Sequence, residues 1–172
     1  MNDKERLARF EAEMLPLMSD AYNLARWLVQ NDEDARDMVQ EAYLRAFKFF
    51  CGMRAETGKS WLLRIVRNVC YDHLKQQKNR RTEADQKEQA DPSDLPEQVL
   101  QTKLDVAAVQ SALANLPEEF RTALVLREME ELSYREISEI TQVPIGTVMS
   151  RLARGRRQLA EVLRQMRASD LV

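Results

Sequence analysis

The sequence predicts an all-α protein of two small helical domains joined by a flexible acidic linker, the C-terminal domain containing a helix-turn-helix. Three observations carry that expectation. Only 4 Gly and 5 Pro occur in 172 residues, too few for a chain built on tight turns. Apolar side chains recur every three to four residues, and strand-like alternation is sustained nowhere. The stretch TEADQKEQADPSDLPEQ (82–98) has no apolar period and is rich in Asp, Glu, Gln and Pro, the composition of a self-repelling connector. It divides the chain into modules at 1–81 and 99–172, and the length suits two small domains.

The elements follow in order. A first helix is expected over about 7–30. NDED (31–34) interrupts it, and Asn31 or Asp32 can cap the next helix. Beyond it Ala35, Met38, Val39, Ala42, Ala46 and Phe49 form an apolar stripe. Asp34, Asp37, Gln40, Glu41, Arg45 and Lys48 fall on the other face. CGMRAETGKS (51–60) reads as a loop with two glycines, Gly52 and Gly58. Thr57 or Ser60 then caps a third helix. In it Leu62, Ile65, Val66, Val69 and Leu74 face inward, and Arg64, Arg67, Asn68, Lys75 and Lys78 face out.

Four helices are expected in the second module, near 99–115, 117–130, 133–141 and 145–167. Pro117 suits a first helical position, where its missing N–H costs little. Ser133-Tyr-Arg-Glu136 fits a capping box. A short helix, a turn through Gln142-Val143-Pro144 and a long basic helix make a helix-turn-helix. Tyr134, Ile137, Ile140, Val143, Ile145, Val148, Leu152 and Leu159 pack its inside. Thr147, Met149, Ser150, Ala153 and Arg154 are left near the outer surface, and Arg151, Arg156 and Arg157 reach outward beside them. A helix fits the B-DNA major groove with its first turns at the base edges. Small residues (Gly146, Ala153, Gly155) permit close approach, and arginines neutralise phosphates.

Charge is arranged in blocks. Residues 59–81 hold 7 basic and 1 acidic side chains, and residues 144–167 hold 6 and 1. Residues 82–105 hold 2 basic and 7 acidic side chains, residues 106–143 hold 3 and 7, and the chain totals −2. Two basic segments separated by acidic ones fit either two anionic contacts on one long partner or two solvated helix faces. Other classes lose support. No apolar run approaches the ~20 residues that span a bilayer, and MNDKERLARFEAEM lacks a signal-peptide core, so a cytoplasmic location and no membrane contact are expected. Cys51 and Cys70 make no metal-like pair, and His73 is the single histidine, so no metal, cofactor or catalytic triad is expected. Cys70, beside Val69, reads as a small buried hydrophobe.

Four passages resemble those of the extracytoplasmic-function group of bacterial RNA polymerase sigma factors, within the sigma-70 family. DARDMVQEAYLRAF (34–47) is similar to the family's core-binding helix, and WLLRIVRNVCYDHLKQQKNRR (61–81) to its −10 recognition helix. LPEEFRTALVLREMEELSYREISEI (116–140) is similar to the entry of its C-terminal domain, and VPIGTVMSRLARGRRQL (143–159) to its −35 recognition helix. All four stand in the family's order over most of residues 10–165. The resemblance implies a non-enzymatic initiation factor that binds core RNA polymerase, directs it to −10 and −35 promoter elements and promotes melting.

By position, it implies that Asp37, Gln40, Glu41, Tyr43 and Phe47 contact the polymerase clamp helices. Lys59, Arg64, Arg67, Asn68, Lys75, Lys78, Arg80 and Arg81 would serve the −10 element, with loop 52–60 holding a flipped base. Met149, Ser150, Ala153 and Arg154 would approach −35 bases, Arg127, Arg151 and Arg156 would contact the phosphates, and Thr147 would belong to the same −35 DNA-binding surface. Trp61 matches a family tryptophan and reads mainly as core. Met149 stands where many members carry Arg, which shifts −35 readout toward DNA shape. An anti-sigma factor is an implied partner. A helix-turn-helix repressor acting alone would leave 34–47 and 61–81 unexplained, and a helical adaptor would leave the basic segments so.

Overall fold

The computed structural model describes residues 2–50, 55–83 and 101–170, apart from the side chains of 55–57, 81–83, 101–105 and 170. Helix α1 (Asp3–Met14) is capped by Asn2, whose side chain accepts from the Glu5 amide at 2.8 Å. The expected helix over 7–30 is in fact two. Pro16 cannot donate to the turn before it, so the chain passes through a 3₁₀ turn (Leu15–Leu17) and restarts as α2 (Met18–Val29). Gln30 ends α2 in the left-handed region, φ 59°. Asn31 caps α3 (Asp32–Phe49), accepting from the Asp34 amide at 2.9 Å, with Asp32, Glu33 and Asp34 in the positive first turn.

Helix α4 (Ala55–Glu83) is longer than expected at both ends. Thr57, Gly58 and Ser60 lie inside it rather than in a loop, and it takes up residues 82 and 83 of the expected linker. Gly58 answers a packing demand: a Cβ there would stand 3.3 Å from the Met14 Cε. Residues 51–54, including Cys51 and Gly52, and the remainder of the 82–98 segment lie outside the described residues.

Helices α2, α3 and α4 pack on one another, and α1 closes over them. Ala35, Val39, Ala42 and Ala46 are buried as expected, but Phe49 is 62% exposed. The backbone becomes extended at Phe50, which turns that ring inward in its place. Phe10 meets the rings of Tyr43, Phe47 and Phe50 edge-on at 6.1, 5.2 and 5.3 Å. Arg6 lies over Phe47 and donates to the carbonyls of Phe47, Lys48 and Phe50, satisfying the last carbonyls of α3. Trp61 packs against this core.

In the second half, α5 (Gln101–Ala114) ends where Arg121 donates to the carbonyls of Leu113, Ala114 and Leu116. Pro117 precedes α6 (Glu118–Leu124) as its cap residue, one position earlier than expected. Helix α6 widens into a π turn (Val125–Met129), which periodicity did not foretell. Ser133 and Glu136 form both bonds of the capping box that opens α7 (Tyr134–Thr141). Gln142, φ 60°, ends α7, and Pro144 precedes α8 (Ile145–Asp170). Ile137, Ile140, Val148 and Leu152 fill the helix-turn-helix interior.

The halves share one apolar cluster, which runs from Met14, Leu24 and Val66 through Leu113, Leu116 and Leu126 to Ile140. Helix α4 packs against α7, and α2 against the π turn. Gln30 donates to the Gln110 carbonyl across the join.

Candidate nucleic-acid and polymerase interfaces

Three surfaces hold the residues singled out by sequence. The first is α3. Asp37, Gln40 and Glu41 are exposed together, off the apolar stripe. Tyr43 is not on that surface. It is 9% exposed, and its hydroxyl donates to the Met14 carbonyl at 2.6 Å. Burial, with Asp20 nearby, pushes its hydroxyl up to about 12. Phe47 is half-buried under Arg6. The sequence reading missed what lies beside them. A groove of about 900 Å³ runs between α1, α2 and α3, rimmed by Leu7, Leu15, Met18, Gln40, Leu44 and Phe47. Leu44 is 69% exposed, and Leu7, Leu15 and Met18 are each more than 40% exposed. Leu44 was legible as an apolar residue outside the α3 stripe.

The second surface is one face of α4. At ~100° per residue, Arg64, Arg67, Asn68, Tyr71, Lys75 and Lys78 fall within about 100° of arc. Asn68, Lys75 and Lys78 are exposed, and Arg64 and Arg67 half-buried. The structure does not bring Lys59 to this face. It points to α2 and pairs with Asp20 at 3.7 Å. Arg80 is exposed on the far side of the helix, and the side chain of Arg81 lies outside the described residues. Arg67 Nη1 donates to Asn68 Oδ1 at 3.0 Å and its guanidinium lies 5.1 Å from the Tyr71 ring centroid. A cleft of about 850 Å³ lies along this face, and its lining also includes Arg45, Leu116, Glu118 and Arg121.

Cys70 and His73 lie off this face of α4. Burial pushes the Cys70 thiol up to about 12, as befits a packed hydrophobe. His73 lies 3.4 Å from Asp34, which also accepts from Gln77.

The third surface is the outer side of α8. Met149, Ser150, Ala153 and Arg154 are exposed side by side, with Thr147 and Arg151 half-buried next to them. Thr147, Ser150, Arg151 and Arg154 line a cleft of about 490 Å³ with Gly146 and Glu119. Gly155 does not face outward. It is buried, and a Cβ there would stand 3.2 Å from Leu124 Cδ1 and 3.3 Å from Phe120 Cβ. Its smallness serves the close packing of α8 on α6. Arg127 donates to the Leu132 carbonyl at 2.8 Å and stacks on Tyr134 at 4.6 Å, so it fastens the π turn to α7.

Glutamates hold several of the arginines. Arg67 meets Glu118 at 3.5 Å, Arg151 meets Glu119 at 3.8 Å, and Arg156 meets Glu128 at 2.8 Å. The Glu128 bond raises Arg156 above the ordinary arginine value. All three glutamates belong to α6 and its π turn. Their only sequence signal was the acid excess of residues 106–143.

Both halves of the chain match known proteins. The family model "Sigma-70 region 2" matches residues 16–80, and "Sigma-70, region 4" matches 107–159. Over 147 residues the chain is 40% identical to the ECF RNA polymerase sigma factor SigE of Mycolicibacterium smegmatis, covering 83% of this chain and 56% of that protein. It is 31% identical to the ECF RNA polymerase sigma factor SigW of Bacillus subtilis, covering 90% and 89%. The sigma factor RpoE of Bartonella quintana, solved with the anti-sigma factor NepR, superposes with a TM-score of 0.69 at 27% identity over 90% of this chain and 96% of that one. Among the described residues no helix is long and apolar enough to cross a membrane.

Proposed function

The chain belongs to the extracytoplasmic-function group of RNA polymerase sigma factors, and on that premise we propose how its three surfaces divide the work of transcription initiation. The protein is an alternative sigma factor, a transcription initiation factor rather than a catalyst. It binds core RNA polymerase, brings it to promoters carrying −10 and −35 elements and promotes melting.

The observation that carries the assignment is the groove beside α3. Exposed Leu44, Leu7, Leu15 and Met18 form an apolar floor and rim next to Asp37, Gln40 and Glu41. A clustered apolar patch edged by polar groups is the form of a protein-docking surface. The clamp helices of polymerase dock there, with Leu44 as the apolar anchor. Tyr43 shapes the groove from beneath.

The α4 face serves the −10 element through Arg64, Arg67, Asn68, Lys75 and Lys78. The α8 surface serves the −35 element, with Met149, Ser150, Ala153 and Arg154 at the bases and Arg151 and Arg156 at phosphates. Few planar bidentate donors face the bases, so shape contributes to the −35 preference. Arg80 and Lys59 stand away from the −10 face and are left out of this set. An anti-sigma factor that covers the α3 groove and the α4 face together silences the protein.

The test is transcription over a genomic promoter library by core polymerase reconstituted with the chain, beside Leu44→Asp. Defined start sites with the wild type, and loss of both core co-purification and transcripts with Leu44→Asp, are expected. DNA binding by the chain with no polymerase association would point instead to a repressor-like protein and overturn the assignment.

A further inference from the structure

The outer side of α8 carries an apolar row. Ile145, Met149 and Ala153 recur every four residues, so they stand above one another along one line of the helix. All three are exposed, Ile145 at 45% and Met149 at 53%. Ile145 is expected inside the helix-turn-helix from its sequence; as the first residue of α8 it faces outward instead. The row is one side chain wide and about 12 Å long, at ~1.5 Å per residue. Val148 and Leu152, on the inner side of the helix, fill the interior, so packing accounts for them and not for the row.

The neighbours of the row define what it fits. The next line along the helix is Gly146, Ser150 and Arg154. Ser150 Oγ donates to the Gly146 carbonyl at 3.1 Å, which spends its proton on the helix. Gly146 has open space where a Cβ would stand. Arg154 therefore supplies the free side-chain donors of this line. Among the described residues no carboxylate pairs with it, whereas Arg151 and Arg156 each meet a glutamate. Arg157 closes the apolar row at its C-terminal end. A narrow apolar line bordered by cations is a poor match for the broad patch of a protein interface. It matches the major groove of a duplex, where phosphates flank the base edges and each thymine projects a C5-methyl group beside its O4 acceptor. Guanine offers Arg154 the paired N7 and O6 acceptors. Met149 is flexible enough to follow a methyl group, and Ala153 is small enough to leave room for one.

We propose that Met149, flanked by Ile145 and Ala153, reads thymine methyl groups in the −35 element. The −35 preference is then set by where thymines face this row and by one guanine at Arg154. This rests on the reading of α8 as the −35 surface and supplies the chemistry of its base choice. The thioether seeks the methyl and not a hydrogen-bonding group, so 5-methylcytosine substitutes for thymine at the same place.

The experiment is competition binding of the reconstituted holoenzyme to duplex promoters taken from the transcription library. Each −35 thymine, on either strand, is replaced in turn by deoxyuridine, which removes the methyl and keeps every hydrogen-bonding group. At one or more positions the wild type should lose about two- to fourfold in affinity per methyl. Met149→Ala should bind the thymine promoter more weakly by a similar factor and show no further loss with deoxyuridine at the position Met149 reads. At that position 5-methylcytosine should bind the wild type more tightly than cytosine, and Met149→Ala should not distinguish them. Met149→Leu, which keeps an apolar group, should retain the deoxyuridine penalty. Met149 projects into solvent, so these replacements leave the packed interior in place. Indifference of the wild type to every deoxyuridine, or an undiminished penalty in Met149→Ala at every position, would overturn the proposal. So would loss of core co-purification by Met149→Ala with the penalty unchanged, which would mark the row as a protein contact. A holoenzyme that transcribes but ignores a scrambled −35 element would undo the reading of α8 itself, and this proposal with it.

Discussion

Glu130 lends itself to a quantitative test. It ends the π turn, half-buried where that turn packs on α2, with the Asp20 carboxylate and the Lys59 ammonium as charged neighbours. Burial first, then repulsion from Asp20, lifts its carboxyl from an ordinary 4.5 to about 7, against a smaller opposing pull from Lys59. That gap corresponds to about 3 kcal/mol of preference for the protonated form in the native state. A raised acid binds its proton more tightly when folded. The stabilisation is therefore complete below about 4.5 and lost as pH rises through about 7. The perturbation is Glu130→Gln, which keeps the shape and removes the titration. Urea unfolding at pH 5, 6.5 and 8 should show the wild type losing up to about 3 kcal/mol relative to the variant across that range, with the variant the more stable at pH 8. Asp32 works oppositely, since its bond to Arg26 lowers it, and its stabilisation is lost only in acid below its ordinary 3.8. Parallel pH profiles for wild type and Glu130→Gln would refute the reasoning.

Other outcomes follow from packing and contact. Gly155→Ala should destabilise by about 1 kcal/mol, because overpacking against Leu124 and the Phe120 Cβ exceeds the gain in helix propensity; a rise in thermal midpoint would show that α6 yields. Tyr43→Phe should cost about 1–3 kcal/mol in denaturant unfolding by leaving the Met14 carbonyl without its donor. Arg154→Ala should weaken −35 binding by ~1–3 kcal/mol and relax base preference, and an unchanged preference in a competition assay would remove Arg154 from the base-reading set.

Much of this was legible in the residues. The capping box at Ser133 and Glu136, the Asn31 cap and the inward Ile137, Ile140, Val148 and Leu152 are local signals, and the structure follows them. The outward set on α8 came from the same periodicity. Features set by distant contacts were not legible. Gly58 and Gly155 look like loop or groove glycines, but α1 and α6 approach them so closely that a Cβ would crowd its neighbours at 3.2–3.3 Å. Phe49 and Phe50 trade places because the helix ends between them. Lys59 looks like a member of the basic run, yet five residues before Arg64 it faces another side of α4. The packing of α6 on α4 depends on side chains some fifty residues apart, and no periodicity records it.

The pairing of arginines proposed to meet DNA with glutamates of α6 and its π turn has a consequence for ions. Protein cations gain affinity for DNA by releasing the counterions condensed on it, at ~0.9 in the logarithmic salt slope per phosphate neutralised. Arg67, Arg151 and Arg156 start from Glu118, Glu119 and Glu128. Each must free a carboxylate, which gathers cations of its own, so part of what the duplex sheds is taken up again. The holoenzyme should show a salt slope shallower than its count of basic contacts implies, by up to about three. Neutralising those three glutamates should make promoter affinity stronger in dilute salt and more steeply dependent on ionic strength.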